Sequence, residues 1–379
     1  MHGQCGARGA SSSSVEFDDK GWPFWPDRED LSAEFVRVLA AAQEGGATVS
    51  ECWLTLSRID LCSESSWSEE WIKTAELNEE RAEQSHANGN LITARRNWLR
   101  AITYFHAAAR PPGSSSNLLQ YAVDGMRRCA SSFLKSRVPE GQVLSIPWTD
   151  DVSLQAYYLP SSFRDNGPVI VCVGEPGSYK EELIAKYANH ANERGLSLLT
   201  VDMLGTETTL PPEPLEGRKF EAAMSQILDY LAEKPGVDST RIAIVADAWS
   251  SSVVARAAAS DARFAAAVCD AGIWDAHERS FFFRHAGHRR STCLDEPNAI
   301  SRGIDCPLLV TAAEGGWLLP NALIEFGNQL ANIHHDARLV MFRRAETAAM
   351  QGHIDNPTLA NELIFDWLED RLRLRKGLS

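Results

Sequence analysis

The sequence lacks several features that would place it in a common class of protein. Its eight cysteines are scattered without a CxxC pair, and no apolar run approaches the roughly 18 residues that a membrane span requires. Phosphate-binding loops such as GxxxxGK[ST], or GxGxxG after a strand, are also missing. These absences argue against a zinc module, a disulfide framework, an integral membrane protein and a nucleotide-binding domain. We expect no metal and no cofactor.

Positive charge is scarce as well. The chain has 37 Lys and Arg against 51 Asp and Glu, which gives a formal net charge of -14. Nucleic acids and anionic membranes both need a basic protein face, so we expect neither as a partner. Residues 1–20 lack the apolar stretch of a signal peptide and are predicted to be a disordered tail. With cysteines typical of buried free thiols, this predicts a cytoplasmic protein.

Residues 21–137 are predicted to form an N-terminal helical, lid-like domain. Four segments have the composition or spacing of helices, near residue 35 and over 69–84, 91–109 and 118–134. Candidate N-caps for the first two helices are Asp30, Ser32 and Ser68. The many aromatic residues indicate that this block packs on a second domain.

From residue 138 onward, apolar strand-like runs alternate with helical stretches, which predicts an α/β fold. Continuous apolar strands indicate a mostly parallel eight-stranded sheet with helices on both faces. The first two runs, at 143–148 and 154–160, fit an antiparallel edge. We therefore predict a second domain over 138–379, with a small cap insertion at about 275–303.

A family resemblance is carried by several segments of this second domain. They are GEPGSYKEEL, TVDMLGTETTL, EKPGVDSTRIAIVADAWSSSVVARAAA, CDAGIWDAHE, PLLVTAAE and ANELIFDWLED. Together with the helix around SEEWIKTAELNEERAE, they resemble α/β-hydrolases with an N-terminal helical domain. This group includes the fungal polyketide-shortening hydrolase of conidial pigment, the bacterial dihydroxy-pseudo-oxynicotine hydrolase and the fermentation–respiration-switch-like esterases. The resemblance covers roughly residues 20–375 and implies the α/β-hydrolase fold, with ligands at the carboxyl ends of the strands.

The resemblance also implies where the catalytic nucleophile should be. The family pattern G-x-S-x-G-G falls on Ala246–Ser251, so the nucleophile position is Ala248, whose methyl group cannot attack a carbonyl. Trp249 would still supply one backbone amide of the oxyanion hole. The second donor of the family lies near Glu175 and Pro176, and proline has no N–H to donate.

The two other triad positions are altered under the same alignment. Gly316 stands where the family has its aspartate, and Met350 lies at or near the position of the histidine. His353 follows three residues later, and an insertion or deletion in this loop would restore it. Losing one oxyanion donor costs on the order of 3 kcal/mol, and losing the serine about a million-fold in rate. The resemblance therefore implies a degenerate triad.

Other residues near the predicted pocket are candidates for acid/base catalysis. They are Asp247, Glu278, His353 and Glu175, each with the alternative of a solvated or purely structural side chain. The predicted substrate-binding residues are Ala248, Trp249, Pro176, Tyr179, His277, Phe282 and Trp317. The aromatic run around Phe282 would line an apolar chamber under the cap, unless the cap is a solvated basic helix packed on the N-terminal domain.

Three functions remain open at this point. The first, which we prefer, is non-hydrolytic acid/base chemistry (cyclisation, elimination, isomerisation or C–C cleavage) on a polyketide-like or aromatic molecule of specialised metabolism. The second is a non-catalytic, ligand-binding or scaffold pseudo-hydrolase, and the third is a hydrolase with an unconventional nucleophile. The expected partner is a small apolar or aromatic molecule, although a scaffold would instead pair with an active homologue, and a homodimer is left open.

The altered nucleophile position gives a direct test. Because Ala248 has no hydroxyl, the purified protein should not hydrolyse p-nitrophenyl esters above the buffer rate. Rapid ester turnover that a serine-directed fluorophosphonate abolishes would contradict the prediction, and an active serine esterase assayed in parallel provides the positive control.

Overall fold

The sheet of this protein has the strand order of the α/β-hydrolase fold. The structure, a computed structural model, describes residues 28–60, 62–63, 65–110, 116–149, 152–162, 166–174, 179–202, 219–247, 250–272, 303–316 and 319–374. Eight strands form one sheet in the order β1-β2-β4-β3-β5-β6-β7-β8. The strands are β1 (Gln142–Thr149), β2 (Val152–Leu159), β3 (Gly167–Val173), β4 (Ser197–Val201), β5 (Val237–Ala246), β6 (Ala266–Cys269), β7 (Leu308–Ala313) and β8 (Ala337–Phe342).

Strand direction follows the predicted pattern. β2 pairs antiparallel with both β1 and β4, and every later pairing is parallel. All residues of β3, β4, β6 and β7 are buried, as expected of parallel strands that are covered on both faces. The parallel strands therefore end at one common edge, where the site lies.

Ten α-helices lie in the described part of the chain. Five precede the sheet: α1 (Glu29–Ala40), α2 (Val49–Leu56), α3 (Ser66–Ala87), α4 (Leu91–Ala109) and α5 (Ser116–Lys135). The others follow β3, β4, β5, β7 and β8: α6 (Lys180–Glu193), α7 (Lys219–Glu233), α8 (Ser251–Ser260), α9 (Pro320–Ile333) and α10 (Pro357–Leu374). The four predicted N-terminal helices are present, and α2 is an additional one.

Two predicted helix caps are wrong. α1 begins at Glu29, so Asp30 and Ser32 lie inside it, and the residue at the N-cap position is Arg28, whose side chain makes no capping hydrogen bond. Ser68 lies inside α3, where its hydroxyl donates a 2.8 Å hydrogen bond to the backbone oxygen of Ala108. A serine near a helix start is equally suited to join two packed helices, and here α4 provides the acceptor.

The two faces of the sheet carry two separate cores. Helices α7, α8 and α9 cover one face, and α6 and α10 cover the other. The core on the α6 face continues without interruption into helices α1–α5. The N-terminal helices are thus an added layer over α6.

None of the described helices combines the length and apolar character needed to cross a membrane.

Hydrogen bonds join this added layer to the sheet domain at Glu44, just after α1. Its carboxylate lies 2.7 Å from Nε2 of His190 on α6 and accepts a 3.1 Å hydrogen bond from the amide of Asn361 on α10. Burial opposes ionisation of Glu44, but the hydrogen bond and charge of His190 outweigh it and lower the pKa of this carboxyl. The contact fixes the position of α1 relative to α6.

Close packing of α4 on α5 depends on Gly125. A methyl group added there would lie 2.6 Å from a ring carbon of Phe105, which is fully buried. Gly125→Ala should therefore lower the free energy of unfolding, because overpacking costs about 1–3 kcal/mol and exceeds the gain of about 1 kcal/mol in helix propensity. Urea denaturation measures the change. The exposed Asn117→Ala on the same helix is the control, and a Gly125→Ala protein as stable as that control would contradict the packing argument.

Candidate active site

The turn after β5, where the family resemblance places the nucleophile, turns its serines inward. Asp247 directly follows β5, and its backbone N–H donates a 3.0 Å hydrogen bond to the oxygen of Val173. The hydroxyl of Ser250 donates to the same Val173 oxygen at 2.7 Å, and the hydroxyl of Ser251 donates to the backbone oxygen of Asp270. Both serines are fully buried. Their hydroxyls therefore join strand ends and do not point toward a ligand.

Asp247 forms a buried ion pair with Lys186 of α6. The Lys186 ammonium lies 2.5 Å from Oδ1 of Asp247, and the hydroxyl of Tyr187 lies 3.5 Å from the same oxygen. Burial opposes the charge of Lys186, but the Asp247 carboxylate outweighs it and raises the pKa of Lys186 well above its usual value. Lys186 is therefore a permanent cation at the end of β5.

One turn before Lys186 on α6, Glu182 lies close to a histidine of α4. Oε2 of Glu182 lies 3.2 Å from Nε2 of His106. Burial raises the pKa of Glu182, and the negative charge of Asp247 raises it further. Burial, aided by the nearby guanidinium of Arg110, lowers the pKa of His106 to about 3. The contact is therefore not a salt bridge, because His106 is neutral.

These groups converge on one cavity between α1, α4, α6 and the end of β5. Polar residues of its lining are Glu34, Arg37, Glu44, Thr103, His106, Glu182, Lys186 and Asp247. Apolar residues of its lining include Val38, Ala41, Ala107, Ala185, Ile354 and Pro357. Titratable groups with strongly shifted pKa values, set in an apolar cavity at the carboxyl edge of a parallel sheet, are typical of an active site.

A second buried cluster lies at the ends of β6 and β7. Nε2 of His353 lies 3.1 Å from Oδ1 of Asp270, and also 3.1 Å from Oγ1 of Thr311. Thr311 donates its hydroxyl to Asp270 at 2.5 Å. Burial disfavours the charged form of both groups, but the opposite charge and hydrogen bond of the partner outweigh this effect. The pKa of Asp270 therefore falls to about 2, and the pKa of His353 rises. The pair is an internal ion pair.

Both ring nitrogens of His353 are used in this arrangement. Nδ1 lies 2.7 Å from the backbone oxygen of Ala348, which can only accept a hydrogen bond. Because the Asp270 carboxylate also only accepts, the ring donates from both nitrogens and carries a positive charge. Side chains from three segments thus hold the loop before α10 on the sheet edge. In this arrangement His353 has no free lone pair with which to remove a proton from a substrate.

The sheet edge around Asp270 and His353 contains unusual backbone conformations. Ala271, Thr347, Ala348 and His353 have φ values between 54° and 67°, a left-handed region that costs a non-glycine residue about 1–2 kcal/mol. The Asp270–His353 pair and its hydrogen bonds therefore stabilise a strained edge. Strain of this kind is concentrated at functional sites.

The position predicted for the catalytic acid is in direct contact with the histidine loop. A Cβ atom on Gly316 would lie 2.7 Å from Oε1 of Gln351. The side chain that faces Gly316 is therefore Gln351, one residue after the predicted Met350. Neither glycine nor glutamine can take the part of an acid or a base in proton transfer.

The structure places only some of the predicted site residues. Asp247 lines the cavity, and Tyr179 packs edge-on against His106 with ring centroids 6.2 Å apart. His353 lies in the second cluster. The other predicted residues lie outside the described part of the chain: Glu175, Pro176, Ala248, Trp249, His277, Glu278, Phe282 and Trp317. The predicted tail and nearly all of the predicted cap lie outside it too.

Several residues of the two clusters were not predicted from the sequence. Lys186 and Glu182 lie one turn apart on α6, and a helix of mixed charge gives no sign of which face is buried. His106 lies on a helix assigned to packing. Asp270 could have been found, because it directly follows a buried strand at the carboxyl edge. In the described residues, no group of three or more His, Cys, Asp or Glu side chains is arranged to hold a metal ion.

The Asp270–His353 pair predicts a large and pH-dependent loss of stability. Asp270→Asn or His353→Gln alone should lower the free energy of unfolding by about 3–5 kcal/mol, because the remaining charge is buried without its partner. The double variant should lose less than the sum of the two. Urea denaturation provides the measurement, with the exposed Asp366→Asn as a control expected to cost less than about 1 kcal/mol.

The sign of the pH dependence follows from the two pKa shifts. The raised pKa of His353 stabilises the fold fully below its ordinary value of 6.5, and this stabilisation is lost as the pH rises through the raised value. The lowered pKa of Asp270 stabilises the fold above its ordinary value of 3.8, and this is lost as the pH falls toward about 2. The difference in free energy of unfolding between the wild type and Asp270→Asn should therefore be largest between pH 3.8 and pH 6.5. Additive losses that do not depend on pH would contradict the ion pair.

Comparison with known proteins agrees with this fold. Residues 58–276, more than half of the chain, match the family described as "Esterase FrsA-like". The chain is 27% identical over 315 residues to the hydrolyase poxO of Penicillium oxalicum, covering 79% of this chain and 74% of that protein. It is 29% identical over 255 residues to the 20-hydroxy-prefusarin hydrolase FUS2 of Gibberella moniliformis, covering 62% and 59% respectively.

A solved structure shows the same fold over nearly the whole chain. The 2,6-dihydroxy-pseudo-oxynicotine hydrolase superposes with a TM-score of 0.66 at 15% sequence identity, covering 88% of this chain and 95% of its own. The expected resemblance is thereby confirmed, including the helices before the sheet. By its sequence match and its strand order, the chain belongs to the FrsA-like esterase family of α/β-hydrolases.

Proposed function

We propose that this protein is an α/β-hydrolase-fold enzyme that carries out acid/base chemistry on a polyketide-like or aromatic small molecule, without a serine nucleophile. The observation that carries the proposal is the convergence of Glu182, Lys186 and Asp247 on one partly apolar cavity at the end of β5. Family membership supports a hydrolase-type enzyme. The proposal that acid/base chemistry replaces serine hydrolysis is supported by the residues at or next to the expected triad positions, which are Ala248, Gly316 and Gln351.

Lys186 is suited to stabilise negative charge that develops on a substrate oxygen. Its ammonium is permanently charged and is held by Asp247, yet a fifth of its side chain remains exposed. In a largely desolvated cavity, such a fixed cation stabilises an enolate more strongly than water does. Asp247 is then a positioning residue, because it orients Lys186 and keeps it charged.

Glu182 is suited to move the proton. A general acid or base is most efficient when its pKa lies near the working pH. The raised pKa of Glu182 is closer to neutral pH than the pKa of an ordinary carboxyl. The ionised carboxylate would take a proton from the carbon beside a substrate carbonyl, and the C–H electron pair would become the C=C bond of an enolate. The protonated carboxyl would then return the proton to another carbon, or to a departing hydroxyl group that leaves as water. These two outcomes are isomerisation and elimination.

Two relatives support a small-molecule substrate. The name of FUS2 gives 20-hydroxy-prefusarin as its substrate, and poxO is named a hydrolyase. Both come from fungi. We extend to this chain only the class of substrate, a small organic molecule of fungal specialised metabolism.

A second candidate function uses the same cavity for hydrolysis. Asp247 would orient an attacking water toward a substrate carbonyl, and Lys186 would stabilise the resulting oxyanion. The short contact between Asp247 and Lys186 favours the positioning role, because it occupies one carboxylate oxygen. A non-catalytic binding protein remains the third alternative, against which the shifted pKa of Glu182 argues.

Proton exchange at carbon tests the proposal without knowledge of the natural substrate. A panel of aryl methyl ketones incubated in D2O with the protein should gain deuterium beside the carbonyl faster than in buffer, as measured by NMR. Glu182→Gln should slow this exchange by about a hundred-fold or more. Glu193→Gln, an exposed position on the same helix, is the matched control and should leave the rate unchanged.

Three outcomes separate the candidates. Exchange that depends on Glu182 supports acid/base catalysis. Cleavage of esters that depends on Asp247 but not on Glu182 would favour the hydrolytic alternative. Binding of panel compounds without any accelerated exchange would contradict catalysis and favour a binding protein.

A further inference from the structure

His106 is a buried polar residue of the cavity that the proposed chemistry does not use. It lies on α4, one of the N-terminal helices, and is only 4% exposed. Among the described residues, none forms a hydrogen bond with its Nε2 atom. The Glu182 oxygen at 3.2 Å lacks the alignment of a hydrogen bond. Buried side-chain nitrogens are nearly always hydrogen-bonded, so an exception inside a cavity points to a ligand.

The charge state of His106 limits what that ligand can be. Burial and the guanidinium groups of Arg110 and Arg37 oppose protonation and lower its pKa to about 3, although Glu34 acts in the opposite sense. A neutral imidazole has one donor nitrogen and one acceptor nitrogen. Which of the two roles Nε2 takes depends on the tautomer, and a hydroxyl, which can both donate and accept, pairs with it in either one.

The neighbours of His106 favour the same chemistry. Glu182, beside it, has a raised pKa and can both donate and accept when protonated. Tyr179 packs edge-on against the imidazole, and Ala107 contributes an apolar wall. A planar molecule that carries a hydroxyl group would place its oxygen within reach of both His106 and Glu182, with its carbon atoms against the apolar wall.

We infer that His106 binds a hydroxyl group of the ligand, so that an N-terminal helix determines the substrate class: a neutral phenol or enol. This inference rests on the proposed function, since it places the ligand in the same cavity. It adds that the N-terminal helices supply a recognition group as well as cover. His106 is thus a specificity-determining residue, and Glu182 remains the group that moves the proton.

A matched pair of probes tests the inference. Phenol and toluene differ only by a hydroxyl in place of a methyl group, and ligand-observed NMR gives the affinity of each. In His106→Phe the ratio of phenol affinity to toluene affinity should fall about tenfold, because one buried hydrogen bond is lost. His106→Gln keeps one donor and one acceptor and should retain most of the wild-type ratio.

A second readout separates recognition from a structural role. Replacing an unsatisfied buried polar group by an apolar one of similar shape is neutral or stabilising, so ligand-free His106→Phe should melt at the same temperature as the wild type or higher. An unchanged affinity ratio in His106→Phe would overturn the inference, and so would a marked loss of melting temperature in this variant.

The same experiment keeps the two proposals distinct. Glu182→Gln should retain a preference for phenol over toluene, because a neutral amide also donates and accepts, yet it should lose proton exchange at carbon. If the phenol preference depends on His106 and no exchange is found, the inference stands and the proposed catalysis fails. If exchange depends on Glu182 and the preference is independent of His106, the catalysis stands and the inference fails.

Discussion

Burial of charge at the carboxyl edge of the sheet is the constraint on which the site depends. Lys186 and Asp247 pair where β5 ends, and α1 and α4 close over them. Without those helices the end of β5 would be solvated, and a carboxyl near it would titrate as an ordinary acid. The N-terminal helices exclude water, and the pKa shifts of Glu182 and His106 follow mainly from that exclusion. The N-terminal helices that cover the site therefore also determine its acid/base properties.

The loop before α10 depends on a second buried charge pair. Asp270 follows β6, Thr311 belongs to β7, and His353 precedes the last helix, so the three lie in different segments and meet only at the sheet edge. An α/β-hydrolase ordinarily carries its acid and its histidine in the same neighbourhood. Here Asp270 and His353 are present there, but their pairing and the Ala348 oxygen use both ring nitrogens of His353. The pair that holds the loop is kept, while Gly316 and Gln351 face each other beside it.

Stability and function oppose each other in the cavity. The imidazole of His106 is buried without a hydrogen bond from the described residues, which costs a protein free energy. The left-handed backbone conformations around His353 add a further unfavourable contribution to the free energy of folding. Two large continuous cores, one of which runs from the sheet into the N-terminal helices, offset these terms. A site of this kind is retained by the rest of the fold and is not stabilised by its own contacts.

The sequence alone determined the fold and most of its elements. All eight strands and nine of the ten described helices follow from apolar periodicity, because burial of a helix face or a strand is a local pattern. Only the short helix α2 was missed. The caps at Ser32 and Ser68 were wrong because both serines lie inside a helix, where their hydroxyls donate to the backbone oxygens of Arg28 and Ala108.

The site was decided by the tertiary structure. Asp247 was predicted because it directly precedes the nucleophile position in the turn after a strand, and this position in the chain is enough to place it at the sheet edge. Glu182, Lys186 and His106 could not be predicted, because charged residues on amphipathic helices look alike until a second element covers one of them. Local sequence fixes which face of a helix is apolar, but the burial that changes a carboxyl pKa depends on residues more than 70 positions away, brought there by the packing of α4 on α6.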